Sequence, residues 1–248
     1  MSATLEVRGL RKQFGGLTAV KDVSFALAPG TVTGILGPNG AGKTTLFNLI
    51  TGFIPPDAGD IVFDGARVSG RAPHHIVNAG IARTFQIARP FQQMTTLENV
   101  AVACLAPRVR HEHNGDYRAR ARQLLEQVGL AAKAEWPIEA LTYGDLRHIE
   151  IARALATNPR LLLLDEPFAG LGTSEIQPLA TLIRELRGRG IGILIIEHKL
   201  REMMRLVDRV IAMDFGEIIA EGSPAEIGRH PRVIESYLGY EEPARGTA

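Results

Sequence analysis

Gly37-Pro38-Asn39-Gly40-Ala41-Gly42-Lys43-Thr44 is the stretch on which the reading of this chain turns. It carries a glycine, four free positions, then glycine, lysine and a hydroxyl residue, the spacing in which backbone N–H groups cradle phosphate oxygens. Its surroundings suit that role. Thr31 to Leu36 before it is expected as a buried strand, and Thr44 to Ile50 after it carries a helical pattern that Gly52 and Pro55-Pro56 stop. A strand, loop and helix in that order bring several N–H groups and the positive end of a helix onto one anion. Lys43 would neutralise the β and γ phosphates of a nucleoside triphosphate. The Thr44 hydroxyl would complete an Mg2+ shell made otherwise of phosphate oxygens and water. Gly37, Pro38, Asn39, Gly40, Ala41, Gly42 and Thr45 fill out the nucleotide-binding set. The plainer alternative is a glycine turn with a surface lysine.

Working outward, Arg160-Leu161-Leu162-Leu163-Leu164-Asp165-Glu166 is four leucines followed by two acids, which predicts a strand buried on both faces that ends in charge at the carboxyl edge of a sheet. Ligands bind at that edge. Asp165 is placed to hold Mg2+, directly or through water, and Glu166 to polarise the water attacking the γ-phosphate. Alone, the pair would read equally well as a solvated strand end. His198 follows another apolar strand, Ile193 to Ile196, and Glu197, so it reaches the same edge and is assigned to the γ-phosphate or the water. Gln86 follows Ile81 to Phe85, and a neutral donor and acceptor there is assigned to sense both metal and water.

With 248 residues and 45% hydrophobic content, the chain can bury a sizeable core, so disorder is not the expectation. Leu161 to Leu164 and Ile191 to Ile196 fall far short of the roughly 18 to 20 residues that cross a bilayer. Met1 to Arg11 fits neither a signal peptide nor a transit helix, so a cytosolic protein is expected. Lys and Arg number 28 against 27 Asp and Glu, and a net charge of +1 offers no global field for nucleic acid or anionic lipid. The single cysteine, Cys104, lies in the apolar run Val100 to Leu105 and is expected to be buried and inert.

Leu5 to Leu10 and Val20 to Leu27 alternate as half-buried strands around the turns Gly15-Gly16 and Pro29-Gly30. Helical patterns dominate from about 88 to 157, notably Tyr117 to Val128 and Leu146 to Ala156, and are taken as an inserted helical lobe. Strand and helix then alternate: Leu161 to Leu164, Ser174 to Arg189, Gly192 to Ile196, Leu200 to Val207, Val210 to Met213 and Glu217 to Ala220. The expected fold is α/β, a mostly parallel sheet wrapped by helices with an antiparallel β subdomain and the helical insert. Residues 1–87 and 158–225 form its core, 88–157 the helical subdomain and 226–248 a helical tail. His111-Glu112-His113 has no third ligand nearby and is read as a solvated loop. Arg118, Arg120 and Arg122 cannot share one helical stripe and are read as surface.

The order of these elements, with Leu141-Thr142-Tyr143-Gly144-Asp145-Leu146-Arg147 upstream of Asp165, resembles the ABC ATPase family across nearly the whole chain. The resemblance implies a P-loop (RecA-like) core that binds ATP with Mg2+ and hydrolyses it. It also implies a dimer of like or unlike ATPases, in which Thr142 and Gly144 meet the γ-phosphate held by the opposite subunit, with a helix dipole as the physical reason. Phe14 stands where the family stacks an aromatic on adenine; a core aromatic at a hairpin is the alternative. The family's common signature is Leu-Ser-Gly-Gly-Gln, so Thr142, Tyr143 and Asp145 depart from it, and Gly172 stands where many relatives carry an aspartate that couples the two sites.

Ala82-Arg83-Thr84-Phe85-Gln86, Pro90-Phe91, Met94-Thr95-Thr96-Leu97-Glu98-Asn99-Val100 and Val233-Ile234-Glu235-Ser236-Tyr237-Leu238-Gly239 are similar to ATPases of branched-chain amino acid importers. That similarity implies two permease subunits, fed by a periplasmic binding protein, and a position on the inner face of the membrane. The surface after Gln86 would receive the permease. Lipopolysaccharide-export ATPases share the terminal Tyr-Leu-Gly and are the runner-up; an ABC ATPase working without a permease is the more distant alternative.

Overall fold

The computed structural model describes residues 4–85, 89–111 and 115–238. Alternation makes the first two strands, β1 (Leu5–Phe14) and β2 (Leu17–Leu27), an antiparallel hairpin that turns at Gly15-Gly16. On β2, Val23, Phe25 and Leu27 point inward with period two. Asp22 takes φ +53 at the break between them and the buried Val20. The parallel sheet starts with β3 (Val32–Leu36), buried at every position and followed by α1 (Lys43–Ile50). Next come β4 (Ala58–Phe63), β5 (Ala66–Arg67), α2 (Pro73–Ala79) and β6 (Ile81–Arg83). Three helices follow, α3 (Thr96–Ala103), α4 (Tyr117–Gln127) and α5 (Tyr143–Leu155). The chain then alternates through β7 (Leu161–Asp165), α6 (Thr173–Gly188), β8 (Gly192–Ile196), α7 (Leu200–Met204) and β9 (Arg209–Asp214), and closes with β10 (Glu217–Gly222), α8 (Pro224–Ile227) and α9 (Pro231–Leu238).

Two sheets result. The larger runs β10-β9-β3-β8-β7-β6, parallel except where β10 returns antiparallel on β9; the smaller, β2-β1-β4-β5, is antiparallel. The four leucines of β7 show why this strand is apolar throughout. Leu161 and Leu163 pack into a core with α1 and the inner face of the small sheet, whereas Leu162 and Leu164 pack into a second core with α6 and the helices α3 to α5. Each side chain is fully removed from water, which at about 25 cal/mol per Å2 makes the strand a principal fastener of the fold.

The strands expected around the phosphate loop and the acidic tip are present, and so are the helices expected after them. β4, β5 and α2 escaped the sequence reading: β4 begins Ala58-Gly59-Asp60, so only its last three positions look like a strand. Within the stretch Ile81 to Phe85 the strand β6 ends at Arg83. The helix expected from Leu146 begins earlier, at Tyr143, because Thr142 and Asp145 form a capping box there. Cys104 is fully buried among α3 and its neighbours, and burial pushes its thiol pKa up, as an inert thiol requires. Arg118 and Arg122 lie at the surface against Glu98 and Glu135. Of the His111-Glu112-His113 run, Glu112 and His113 lie outside the described residues. Among the described residues no helix is long and apolar enough to cross a membrane.

Candidate functional site

Because β3, β7 and β8 are parallel and adjacent, their carboxyl ends deliver Gly37, Asp165 and Glu197 to one edge of the sheet. The loop from Gly37 to Gly42 is pinned from outside, since Gly216 N donates to Ala41 O at 3.1 Å and Lys21 N to Gly216 O at 2.7 Å. Its last glycine, Gly42, is the N-cap of α1 at φ +97, and a Cβ there would sit 2.3 Å from the carbonyl oxygen of Ala19. Only glycine fits. Gly42→Ala is expected to cost about 2–4 kcal/mol, from the left-handed backbone and the overpacking together, read as a lower urea midpoint with an unchanged slope.

Lys43 is buried and folds back over the loop, its Nζ donating to Gly37 O at 2.7 Å and Pro38 O at 2.9 Å. Burial pushes its pKa below the ordinary lysine value, while the carboxylates of Glu166 and Asp165 pull it up. The amine therefore feels both acids: the glycine loop and the tip of β7 share one electrostatic site. Asn39 and Gly40 are exposed at the loop's tip, Thr45 is half-buried on α1, and the exposed Thr44 lines a cavity of about 610 Å3 together with Phe53, Arg83, Phe85, Glu150 and Asp165.

Past Asp165 the backbone turns sharply. Glu166 takes φ +50, unusual for a residue with a Cβ, and its N–H donates to Ile196 O at 2.9 Å. The turn aims its carboxylate at His198, whose Nε2 lies 3.0 Å from Glu166 Oε1, so these two expected catalytic residues are brought together. Behind them the buried Glu197 accepts three backbone N–H bonds, from Phe168 (2.9 Å), His198 (2.9 Å) and Lys199 (3.1 Å). Glu197 thus ties the segment after β7 to the segment after β8. Sequence reasoning passed over it as the neighbour of His198.

Arg83, at the end of β6, was also missed as a site residue. It forms an ion pair with Asp165 Oδ2 at 2.7 Å with both side chains only 6% exposed. No local pattern marked it, because the partner that gives it meaning lies on the neighbouring strand β7. For metal, the two expected donors within the described residues, the Thr44 hydroxyl and the Asp165 carboxylate, both line the cavity. Hard oxygens of that kind suit Mg2+. Among the described residues no group of three or more His, Cys, Asp or Glu could hold an ion. Gln86 lies outside the described residues.

Phe14 ends β1 opposite Leu17, 47% exposed, with Lys12 Nζ 5.5 Å from its ring centre. Its hairpin reaches the loop through Ala19, the residue packed on Gly42. An exposed aromatic beside a phosphate loop can stack on a base.

At the start of α5, Thr142 is the N-cap and its hydroxyl accepts from Asp145 N at 3.2 Å, while Asp145 Oδ2 accepts from Thr142 N at 3.0 Å. Lys133 Nζ lies 2.6 Å from the same carboxylate. Partial burial works against the charge of Asp145, but Lys133 and Thr142 hold its pKa below the usual range. The aspartate is therefore a neutralised cap. Tyr143 too has a structural part, since its hydroxyl accepts from Arg147 Nη2 at 2.7 Å and Arg147 Nη1 donates to Phe85 O at 2.8 Å. This ties the start of α5 to the segment leaving β6. Gly144 packs so closely that an added Cβ would fall 2.5 Å from Glu175 Oε1; the other oxygen of Glu175 accepts from Gly172 N at 2.8 Å. Thr142 and Gly144 stand together at one helix start.

Compared with known proteins, residues 20–169 match a family model described as ABC transporter, and residues 217–243 one described as branched-chain amino acid ATP-binding cassette transporter. The high-affinity branched-chain amino acid transport ATP-binding protein LivG of Escherichia coli (strain K12) is 40% identical over 95% of this chain and 97% of its own length. The lipopolysaccharide export system ATP-binding protein LptB of Acidithiobacillus ferridurans is 38% identical over 96% of this chain and 98% of its own. A crystal structure of the ADP conformation of an ATP-binding cassette of an ABC transporter superposes with a TM-score of 0.87 at 33% identity, covering 96% of this chain and 100% of that one.

Proposed function

The chain belongs to the ABC transporter family, as an ATP-hydrolysing cassette, and from that premise we propose that it powers uptake of branched-chain amino acids through partner permeases. The observation that carries the ATPase reading is that the parallel strands β3 and β7, both paired to β8, bring the lysine-bearing glycine loop and the Asp165-Glu166 tip to one edge of the sheet. The choice of importer rests on the match at residues 217–243 and on the similarity to LivG.

In this proposal the loop Gly37 to Gly42, with Lys43, Thr44 and Thr45, grips the phosphates, and Phe14 stacks on the adenine. Mg2+, once bound by Thr44, Asp165 and Gln86, would polarise the γ-phosphate. Glu166 accepts a proton from the attacking water, and His198, 3.0 Å from it, orients the carboxylate or bonds the γ-phosphate. A second ATPase subunit, identical or related, presents its own Thr142 and Gly144 to complete the site, because a helix start is suited to an anion. Closure and reopening of that sandwich would move the permeases. We assign residues 1–87 and 158–225 to the nucleotide-gripping core, 88–157 to the helical lobe that carries the cross-dimer contact, and 226–248 to a helical tail. Two membrane permeases, a periplasmic binding protein acting through them, a place on the inner face of the membrane and no nucleic-acid partner complete the assignment.

The test is to purify the chain with its native permeases and measure phosphate release as solute-loaded binding proteins are added. A binding protein loaded with leucine, isoleucine or valine is expected to raise ATP turnover several-fold. Stimulation by lipopolysaccharide and by none of these would move the chain to export, the reading its similarity to LptB favours.

A further inference from the structure

The buried ion pair between Arg83 and Asp165 is the feature of the site that the reaction described above leaves unused. Arg83 is held from several sides. Its Nη1 donates to Asn48 Oδ1 at 2.6 Å and Thr51 Oγ1 at 3.3 Å, both next to or on α1, while Nη2 donates to Asp165 Oδ2 at 2.7 Å. The rings of Phe47, Phe53 and Phe85 stand 5.4, 5.9 and 5.2 Å from the guanidinium carbon. Its Nε is buried with no partner among the described residues. So rigid a setting fixes a full positive charge against one oxygen of the carboxylate assigned to magnesium. A planar fork with donors on both arms can bridge α1 and β7 in this way; a point charge on a flexible stem cannot.

We propose that Arg83 is an internal counter-cation of the metal carboxylate: it positions Asp165 and competes electrostatically with Mg2+, raising the concentration at which the metal site fills. This rests on Asp165 being the magnesium carboxylate. The physical reason is that a buried carboxylate binds a second cation less tightly when a fixed cation already satisfies one of its oxygens; a neighbouring opposite charge lowers a carboxylate's affinity for a proton by about tenfold or more, and a metal cation meets the same field. The Thr51 and Asn48 hydrogen bonds keep the guanidinium from simply swinging away, so the competition is built into the fold.

The experiment is a titration of Mn2+, a paramagnetic stand-in for Mg2+, into the full chain saturated with ADP, read by electron paramagnetic resonance, with thermal melts run in parallel. Arg83→Gln, which removes the charge, is expected to bind Mn2+ about tenfold more tightly than wild type. Arg83→Lys keeps the charge but cannot serve Asn48 and Asp165 together, and is expected about threefold tighter. If Arg83→Gln fails to fold, Arg83→Lys against wild type decides. Lower melting temperatures with an unchanged or weaker Mn2+ affinity would make Arg83 a structural tie only and overturn the proposal. If wild type itself bound no Mn2+ with ADP, the assignment of Asp165 would fall first, an outcome distinct from equal binding by all three proteins.

Discussion

Replacing Glu166 by glutamine is expected to lower ATP turnover by about two to four orders of magnitude, the range a positioned general base supplies, equal to about 3–5 kcal/mol of barrier. Glutamine keeps the size of the side chain and can still accept at Oε1 from His198, which stands 3.0 Å away, so the turn at φ +50 that aims it has no reason to relax. What disappears is the negative charge and the basicity. Lys43 and the loop carbonyls it bonds are untouched, so nucleotide affinity is retained or slightly improved, since one carboxylate facing the triphosphate is gone. Phosphate release and nucleotide titration, measured separately on the permease-bound complex, distinguish the two effects. His198→Ala should lose less, because the histidine acts on the water through Glu166 or through the phosphate. Full turnover by Glu166→Gln would mean that another group accepts the proton.

The residues that could be read from the sequence share one property: their chemistry is set by local order along the chain. The glycine loop needs a strand before it and a helix after it, and both are visible as patterns within a few residues of Lys43. Likewise Asp165 and Glu166 follow four leucines whose burial on alternating faces leaves no polar alternative. Arg83 and Glu197 were not legible because the partners that give them meaning lie far off in the chain. Arg83 acquires its role from β7, 82 positions away in sequence, and Glu197 from the backbone N–H of Phe168, 29 positions away. Periodicity carries no information about such partners. The departures at Tyr143 and Asp145 show the same limit from the other side: both looked like weakened signature positions, yet one braces Arg147 against the segment leaving β6 and the other caps α5 with its charge neutralised by Lys133. Small strands suffered most, since β4 pairs with β1 through backbone bonds while its first half reads as a turn.

Truncating Lys43 to alanine is expected to weaken ATP binding by about 30-fold or more, since deleting one partner of a desolvated charge pair costs about 2–5 kcal/mol and each 1.4 kcal/mol is tenfold. The amine is already buried and bonded to two loop carbonyls, with Asp165 and Glu166 offsetting part of its desolvation, so part of that cost is met in the fold before any phosphate arrives. That makes it preorganised, and what it gives to the triphosphate is not spent on ordering the side chain. The same variant loses two charge-assisted bonds to Gly37 O and Pro38 O, each costing about 1–3 kcal/mol if the buried carbonyl finds no other donor. Some loss of stability is therefore expected alongside the loss of affinity, and the titration has to be run well below the variant's melting temperature. The loop itself should persist, because the bonds from Ala41 N to Pro38 O and from Gly216 N to Ala41 O do not involve the lysine. A folded Lys43→Ala protein that bound ATP as tightly as wild type would show that the backbone N–H groups alone hold the phosphates, and would leave the buried amine's bonds to Gly37 O and Pro38 O as a structural matter only.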